Sequence, residues 1–257
     1  DRVTEHFPGY EKVDATNGKI GDVSVKFTLV ENKDNKYQTN LDQTLQDNGD
    51  NQENADADKK IDIFLVEADY ALKYVNSKYT MKLADLGITD ADIPNQYQYT
   101  KDAVTDSEGN LKGISWQGCP GLLIYRRDVA KDVLGTDDPT EVQKSVADWD
   151  KFADTAKKMA EKKYVMTSSV NDTYRVFSNN VTSKWVDENN VIHVDDNIKK
   201  WVDMSKAMVD AKQTDTCELW SDDWAKGFYK DGNVFCYFGP AWLIDFSMHC
   251  NEEGSVG

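Results

Sequence analysis

The passage LKGISWQGCPGLLIYRRDVAKDVLGTDDPTEVQKSVADWDKF, residues 111–152, organises the rest of the chain. Its apolar spacing predicts strands over 113–117 and 121–125, then a short helix, a polar loop and an amphipathic helix. Gly135 can supply the left-handed residue that ends the short helix, and Asp148 can cap the next helix before Trp149. One strand leaves a first group of elements and the next enters a second group, so the passage is expected to join two lobes.

The composition describes an acidic chain with enough apolar residues for a core. It has 257 residues, is 39% hydrophobic and carries a formal net charge of −16. Such a surface does not neutralise phosphates, so neither nucleic acid nor an anionic membrane is expected as a partner, and a neutral ligand or a cation fits better. The negative charge is spread along the whole chain, which indicates a solvated surface more than a cation site.

The cysteines and histidines show no metal-binding spacing. The chain has four cysteines and three histidines, without a CxxC or a Cys/His pair. They are Cys119, Cys217, Cys236, Cys250, His6, His193 and His249. We therefore expect no metal site and no cofactor. Cys236 lies in an apolar strand pattern, which favours a buried, inert thiol over a disulfide.

In the first half of the chain, apolar and polar residues alternate over 22–30, which predicts a half-buried strand. A helix follows from about Tyr37, and residues 47–60 form an acidic connector that lacks the pattern of a calcium loop. The run over 61–66 is apolar enough to predict a strand buried on both faces, as in a parallel sheet.

In the second half, residues 164–169 predict a strand, 184–194 a hairpin and 234–238 a last strand. Asp195 can cap a long helix, and Ser221 can cap a short one with Trp220 packed back onto it. Strands alternate with helices throughout, so the predicted class is α/β with largely parallel sheets.

Candidate ligand-binding residues follow from the rule that ligands of open α/β sheets lie beyond the carboxyl ends of the strands. The candidates from strand ends, from the crossing and from the helix after Ser221 are Asn32, Asp34, Lys36, Glu67, Asp69, Trp116, Tyr174, Arg175, Trp224 and Trp242. Carboxylates and amides bind hydroxyl groups, and flat aromatic rings cover the C–H faces of a pyranose ring, so this mixture suits a sugar.

Each candidate also has a structural interpretation. Glu67 can cap the following helix, Asn32 and Asp34 can be turn residues, and Trp116 can belong to a hinge core. Tyr174 and Trp242 can pack between lobes, and Trp224 can be a core residue beside Trp220. The other tryptophans, Trp149, Trp185 and Trp201, are expected in the core.

Catalysis has no sequence motif in its favour. The chain contains no GxSxG, HExxH or P-loop pattern, so we expect a protein that is not an enzyme and assign no catalytic residue. A glycosidase needs only two carboxylates, and 46 acidic residues are present, so a secreted carbohydrate-active enzyme is kept as an alternative.

Several of these segments, taken in order, resemble one known family. They are YQTNLD at 37–42, IDIFLVEA at 61–68, GISWQG at 113–118, LIYRRD at 123–128, ADWDKF at 147–152, NDTY at 171–174 and GPAW at 239–242. This succession is similar to family 1 of the extracellular solute-binding proteins, the maltose-binding-protein-like components of carbohydrate ABC importers.

The resemblance implies a two-lobed type II periplasmic-binding-protein-like α/β fold. Its lobes would comprise residues 1–114 and 121–257, with a hinge crossing at 115–120. It further implies a monomer that binds an oligosaccharide without turnover and delivers it to the permease subunits of an ABC transporter. The resemblance is closest to lipid-anchored proteins on the surface of Gram-positive cells, whose anchor would lie outside this chain.

The resemblance also assigns roles to single residues. Glu67 matches an acidic pocket residue, Tyr174 an aromatic platform, and Trp242 the aromatic residue after Gly-Pro, although Trp242 falls one position later than in the maltose binder. Family members return to the first lobe after this point, so the chain is expected to lack a C-terminal portion and to expose apolar surface on its first lobe. A binder of a non-sugar solute on the same fold is the other alternative.

Overall fold

A computed structural model describes residues 6–31 and 35–248, and the chain divides into two compact units, Asp1–Trp116 and Gln117–Gly257. The division falls inside the predicted crossing at 115–120. The function of that crossing as a hinge stays a prediction, and the two units are described separately.

The first unit begins with a small antiparallel sheet. Its strands are β1 (Tyr10–Lys12), β2 (Asn17–Ile20) and β3 (Val23–Lys26) in the order β1-β2-β3. Gly18 of β2 lies so close to the Tyr10 ring that a Cβ there would overlap it, so a larger residue would require the Tyr10 side chain to move. The prediction of a half-buried strand over 22–30 is wrong in two respects. The strand β3 is shorter than predicted, and its Val23 is exposed.

The core of the first unit lies between two helices, α1 (Lys36–Asn48) and α2 (Ala71–Val75). Leu41 and Leu45 of α1 pack with Tyr74 of α2. The Tyr74 hydroxyl donates a hydrogen bond to Asp42 at 2.8 Å, which ties the two helices together. The unit also contains 3-10 turns at Gly49–Asn54 and Leu83–Leu86 and a short helix, α3 (Gln98–Asp102).

Residues 61–66 do not form the buried parallel strand that their apolar sequence predicts. The segment is extended but has no ladder partner among the described residues, and Ile63 is 89% exposed. Phe64 packs against Tyr74 at 5.3 Å, and the Tyr37 hydroxyl donates to the Leu65 carbonyl at 2.8 Å. The predicted strand over 113–117 also lacks a ladder in the described chain. The first unit thus exposes apolar surface, as expected.

The second unit is built around β4 (Leu122–Tyr125) and β5 (Cys236–Gly239), which pair antiparallel with Leu122 opposite Gly239. Parallel bridges join Val165 to Val234 and Thr167 to Thr214. The predicted strand over 164–169 is thus present only as isolated bridges. The prediction of largely parallel sheets is wrong for the ladders of the described residues, because apolar patterning does not encode strand direction.

Helices cover this sheet. They are α4 (Arg127–Leu134), α5 (Pro139–Ser145), α6 (Trp149–Glu161), α7 (Tyr174–Ser178), α8 (Asp196–Asp210), α9 (Asp222–Ala225) and α10 (Leu243–Phe246). The predicted caps are confirmed, since Asp148, Asp195 and Ser221 each accept a backbone N–H of the helix that follows. Gly135 ends α4 with a φ of 78°, as predicted.

Two apolar clusters fill the second unit. One joins α4 and α6 to β5 through Val129, Phe152 and Cys236, and the other joins Trp224, Phe228 and Tyr237. The Phe228 and Tyr237 rings stack with centroids 3.7 Å apart. Cys236 is fully buried, as predicted, and burial raises the pKa of its thiol, so it stays neutral and unreactive.

A buried arginine fastens β4 to the loop that precedes β5. The Arg126 guanidinium donates to the carbonyl oxygens of Gly227, Tyr229, Lys230 and Gly232. Its Nη2 also lies 2.6 Å from a carboxylate oxygen of Asp128. A Cβ at Gly227 would meet the Tyr237 hydroxyl at 1.9 Å, so glycine is required where the loop closes on the core.

Candidate ligand-binding site

One edge of the second unit gathers residues from several parts of the chain. Because Val165 and Val234 are bridged in parallel, the segments that begin there run in the same direction. The residues that follow them, near 170–175 and 240–242, therefore lie at the same carboxyl edge. The 3-10 turn Val170–Thr173 packs against β5, which fixes this edge.

A buried carboxylate anchors the edge. Asp172 is almost fully buried and accepts the indole N–H of Trp224 at 2.8 Å and the backbone N–H of Ser169 at 2.8 Å. Burial raises the pKa of Asp172 to about 7, against the opposing effect of these two hydrogen bonds. The contact joins the turn after residue 169 to the start of α9.

Aromatic rings continue from this anchor to the surface. Trp224 meets Trp220 edge-on with centroids 5.0 Å apart, and Trp220 lies 5.1 Å from Trp242. Trp242 in turn lies 6.2 Å from Phe246 of α10. Trp220 is 50% exposed, Trp242 is partly exposed and Phe246 is 76% exposed. The inner end of the row is buried and the outer end is open to solvent.

Tyr174 opens α7 at the same edge. It is partly exposed, and its ring contacts Trp201 at 4.9 Å in an edge-on arrangement. The Trp201 indole N–H donates to the Val170 carbonyl at 3.2 Å, so the Tyr174 ring is braced against the turn. Arg175 follows with an exposed side chain.

Trp224 is a core residue in this structure. Its side chain has no exposed surface and packs against Phe228 and Tyr237. A ring without exposed surface offers no face to a ligand, so we correct its placement among the ligand contacts. Trp185 departs from expectation in the opposite sense, because it is 49% exposed and not in the core.

The remaining candidates belong to the first unit. Lys36 begins α1, and Glu67 and Asp69 lie with exposed side chains just before α2. Burial, followed by the nearby charge of Glu67, raises the pKa of Tyr70. Trp116 is 83% exposed at the end of the unit. Asn32 and Asp34 lie outside the described residues. For these positions ligand contact stays a prediction.

The structure brings Tyr174, Arg175 and Trp242 to one edge and adds two residues that the sequence did not single out for binding. For Trp220, packing in the core or on the α9 cap was favoured over ligand contact, and Phe246 was not considered. Trp220 stands just before the α9 cap in the sequence, but the left-handed backbone that sets the position of its ring has no sequence signal.

An open depression of about 320 Å³ lies at the other end of β5 from Trp242. Its lining includes Asp215, Asp223 and Lys226 together with Asn233 and Val234, which precede the strand. Burial raises the pKa of Asp215. Tyr229 is the one aromatic residue of its lining, so the depression suits a sugar ring less well than the aromatic edge does.

The described part of the chain shows neither a cluster suited to a metal ion nor a helix suited to span a membrane. Within residues 6–31 and 35–248, no three His, Cys, Asp or Glu side chains are grouped so that they could hold a metal ion. In the same residues, no helix has both the length and the apolar character needed to cross a bilayer.

Comparison with known proteins identifies the family. Residues 14–251 match the family of bacterial extracellular solute-binding proteins. The chain belongs to this family. The match extends through both units and includes the aromatic edge at Trp220 and Trp242. No curated protein sequence matches the chain.

Solved structures of such binding proteins share the type II periplasmic-binding-protein-like fold. A crystal structure of an extracellular solute-binding protein of family 1 superposes with a TM-score of 0.65 at 20% identity, over 84% of this chain and 53% of the other. An ABC-transporter-associated binding protein from B. animalis subsp. lactis Bl-04, in complex with beta-1,6-galactobiose, gives 0.55 at 20% identity, over 85% and 52%.

A third similar structure is the galacto-N-biose-/lacto-N-biose I-binding protein of the ABC transporter from Bifidobacterium longum, in complex with lacto-N-biose. It gives a TM-score of 0.54 at 17% identity, over 71% of this chain and 44% of the other. The chain thus spans about half the length of the solved proteins that it matches. At these identities the likeness establishes the two-lobed α/β fold.

Proposed function

We propose that this chain forms part of an extracellular protein that captures an oligosaccharide for a membrane ABC transporter. The observation that carries the proposal is that Trp242 and Tyr174 are both partly exposed at the carboxyl edge of the second unit, in a chain of the solute-binding family. Two structurally similar proteins are complexes with disaccharides, which supports the same solute class.

The chemistry of the edge supports a neutral sugar. A pyranose ring has apolar C–H faces and polar hydroxyl edges, so it binds aromatic faces flanked by hydrogen-bonding groups. Trp242 and Tyr174 provide the rings, and Asn171 and Arg175 are exposed polar residues on the adjoining turn and helix. The net charge of −16 disfavours anionic solutes.

The remaining parts of the proposal rest on the resemblance to importer components. The protein acts as a monomer outside the cell, is held at a Gram-positive surface by a lipid anchor, and presents the loaded lobes to permease subunits. Glu67, Asp69 and Lys36 contribute polar contacts from the first lobe, together with Asn32 and Asp34. Trp116 lies at the crossing. Closure of the lobes on the sugar is the signal for transport.

Calorimetric titration of the chain with a panel of mono- to hexasaccharides tests the proposal. We expect saturable one-to-one binding, weakened by about 1–3 kcal/mol in Trp242→Ala and in Tyr174→Ala, since an aromatic contact is lost. Trp185→Ala is the control. It also removes an exposed indole, but Trp185 lies on the hairpin at 184–194 and not at the carboxyl edge. Absence of binding across the panel would refute the sugar class and favour a non-sugar solute.

The proposal also states that the bound sugar is released unchanged. Chromatography of the same mixtures after prolonged incubation is expected to recover only the added saccharide. Hydrolysis products that disappear on replacement of Glu67 or another exposed carboxylate would instead establish a glycoside hydrolase.

A further inference from the structure

Three aromatic side chains form a continuous exposed row at the carboxyl edge of the second unit. We call Trp220, Trp242 and Phe246 the aromatic strip. Trp242 is the middle member, with centroids 5.1 Å from Trp220 and 6.2 Å from Phe246. The outer two rings are at least half exposed. Successive rings are tilted by 45° and 79°, so the strip presents faces and edges to solvent, not one flat plane.

The backbone at Trp220 is strained. Its φ is 69°, in the left-handed region, where a bulky side chain is a genuine outlier and glycine is the ordinary residue. The following Ser221 holds the turn, since its hydroxyl donates to the Glu218 carbonyl at 2.7 Å and accepts the Trp224 N–H at 3.2 Å. Strain of this kind persists where the side chain has a use that the surrounding structure supports.

Core packing does not account for the Trp220 ring. Half of the side chain is exposed, while the adjacent Trp224 fills the interior position completely. A ring needed only to cover the start of α9 would lie against it with its outer face shielded. The exposed half of Trp220 instead lies 5.1 Å from the Trp242 ring, so it enlarges the aromatic surface of the proposed sugar-binding edge.

The charge around the strip narrows the choice of ligand. Glu218, Asp222 and Asp245 flank the aromatic residues in sequence with exposed side chains, and the whole chain is strongly acidic. Anionic lipid surfaces and nucleobases linked to phosphates are therefore repelled. Carboxylates accept hydrogen bonds from neutral hydroxyl groups, which leaves an uncharged saccharide as the fitting occupant.

We infer that the aromatic strip binds two or more successive pyranose rings and that Trp220 determines the length of saccharide that the protein prefers. This inference rests on the proposed function. Neighbouring centroids lie 5.1 and 6.2 Å apart and the rings are tilted to one another, so we assign a separate sugar ring to each aromatic residue. A monosaccharide occupies Trp242 alone, and longer chains reach Trp220.

The test compares four proteins by calorimetric titration with gluco- and galacto-oligosaccharides of one, two and three rings. They are the unsubstituted chain, Trp220→Gly, Trp220→Phe and the control Trp185→Gly. We expect Trp220→Gly to weaken the binding of the longer saccharides by about tenfold and to leave monosaccharide binding unchanged. Trp220→Phe keeps a ring and should restore most of the loss, and Trp185→Gly should change nothing.

The outcomes separate the inference from the proposed function. If the unsubstituted chain binds none of the saccharides, the proposed function fails and the inference with it. If it binds them and Trp220→Gly binds all lengths equally well, only the inference is overturned. Equal losses for one, two and three rings would assign Trp220 a structural role and also overturn it. Because glycine adopts a positive φ without strain, Trp220→Gly is expected to stay folded, which a thermal melt checks.

Discussion

At the scale of single residues, Asp172 links the pH of the medium to stability. Its carboxyl group is nearly buried and holds the Trp224 indole, and the pKa rises from 3.8 to about 7 on folding. The neighbouring titratable groups Cys236 and Tyr237 have raised pKa values and stay neutral. A raised carboxyl pKa means that the folded state binds the proton more tightly, so stability is greatest below pH 4 for this group and is lost as the pH rises to 7.

We therefore expect the difference in unfolding free energy between the natural chain and Asp172→Asn to change between about pH 4 and pH 7. Over that interval the chain with Asp172 should lose on the order of 3–4 kcal/mol relative to the asparagine variant, which cannot ionise. Urea unfolding at a series of pH values measures this. A difference that stays constant with pH would contradict the burial of an ionisable carboxyl group at this position.

Arg126 is a second residue whose surroundings predict a large effect. Its guanidinium donates to several backbone carbonyls in the interior of the unit. A lysine has a single nitrogen at its end and cannot donate to all of these carbonyls together. Arg126→Lys should lower the unfolding free energy by about 2–4 kcal/mol, because buried acceptors lose their donors. Arg127→Lys is the matched control, since Arg127 is exposed and makes one contact with Asp137, and its effect should be small. Equal effects at both positions would contradict this assignment.

At the scale of elements, helix starts could be predicted from the sequence and strands could not. Asp148, Asp195 and Ser221 cap helices as expected, because a cap is a contact between residues two or three apart. A strand exists only through its partner. The alternation at 22–30 did not show that the paired strand would be short. The apolar run at 61–66 did not show that the segment would lack a partner among the described residues.

The helix α8 provides a prediction at this scale. One oxygen of Asp195 accepts the Asn197 N–H and the other accepts N–H groups of Thr182 and Ser183, so the cap also fastens the preceding loop. These bonds hold the pKa of Asp195 below its usual range, and its contribution to stability is lost as the pH falls through that range. Asp195→Ala should lower the melting temperature at pH 7, and the difference from the natural chain should shrink in acid. Asp196→Ala removes only an exposed pair with Lys199 and should not.

The segment at 61–66, which has no ladder partner among the described residues, provides a second prediction at the scale of elements. Its amides have no ladder bonds among the described residues, whereas Leu122–Tyr125 and Cys236–Gly239 bond to each other. Hydrogen exchange should therefore be faster at 61–66 than in β4 and β5 by about a hundredfold or more. Strong protection at 61–66, measured by mass spectrometry of peptic fragments, would show that the segment is paired in solution.

At the scale of the whole molecule, the two units differ in how much core they contain. The buried cluster of the first unit joins Leu41, Leu45 and Tyr74, while the second unit has two larger clusters. We expect the first unit to unfold at a lower temperature. Of seven tryptophans, only Trp116 belongs to the first unit, so tryptophan fluorescence reports mainly on the second. Far-UV circular dichroism should begin to change before fluorescence does, and coincident transitions would contradict two independent units.

The family and part of the binding edge could also be anticipated at this scale. The ordered segments from YQTNLD to GPAW were sufficient for the family, and Tyr174 and Trp242 lie on the edge where strand-end reasoning placed them. Trp220 was not anticipated as a binding residue because its exposure depends on a left-handed backbone that no sequence pattern signals. Trp224 was misplaced because its partner, Asp172, is distant in sequence.

The bonds between Arg126 and the loop before β5 also set an order of events during synthesis. The arginine and the first carbonyl that it binds are 101 positions apart, and β4 pairs with a strand made still later. During synthesis, β4 therefore leaves the ribosome long before β5, the strand with which it pairs. Contacts between residues so far apart in sequence form slowly. Until residue 239 has left the exit tunnel, the second unit cannot close, and a nascent chain halted before that point should be cut readily by protease.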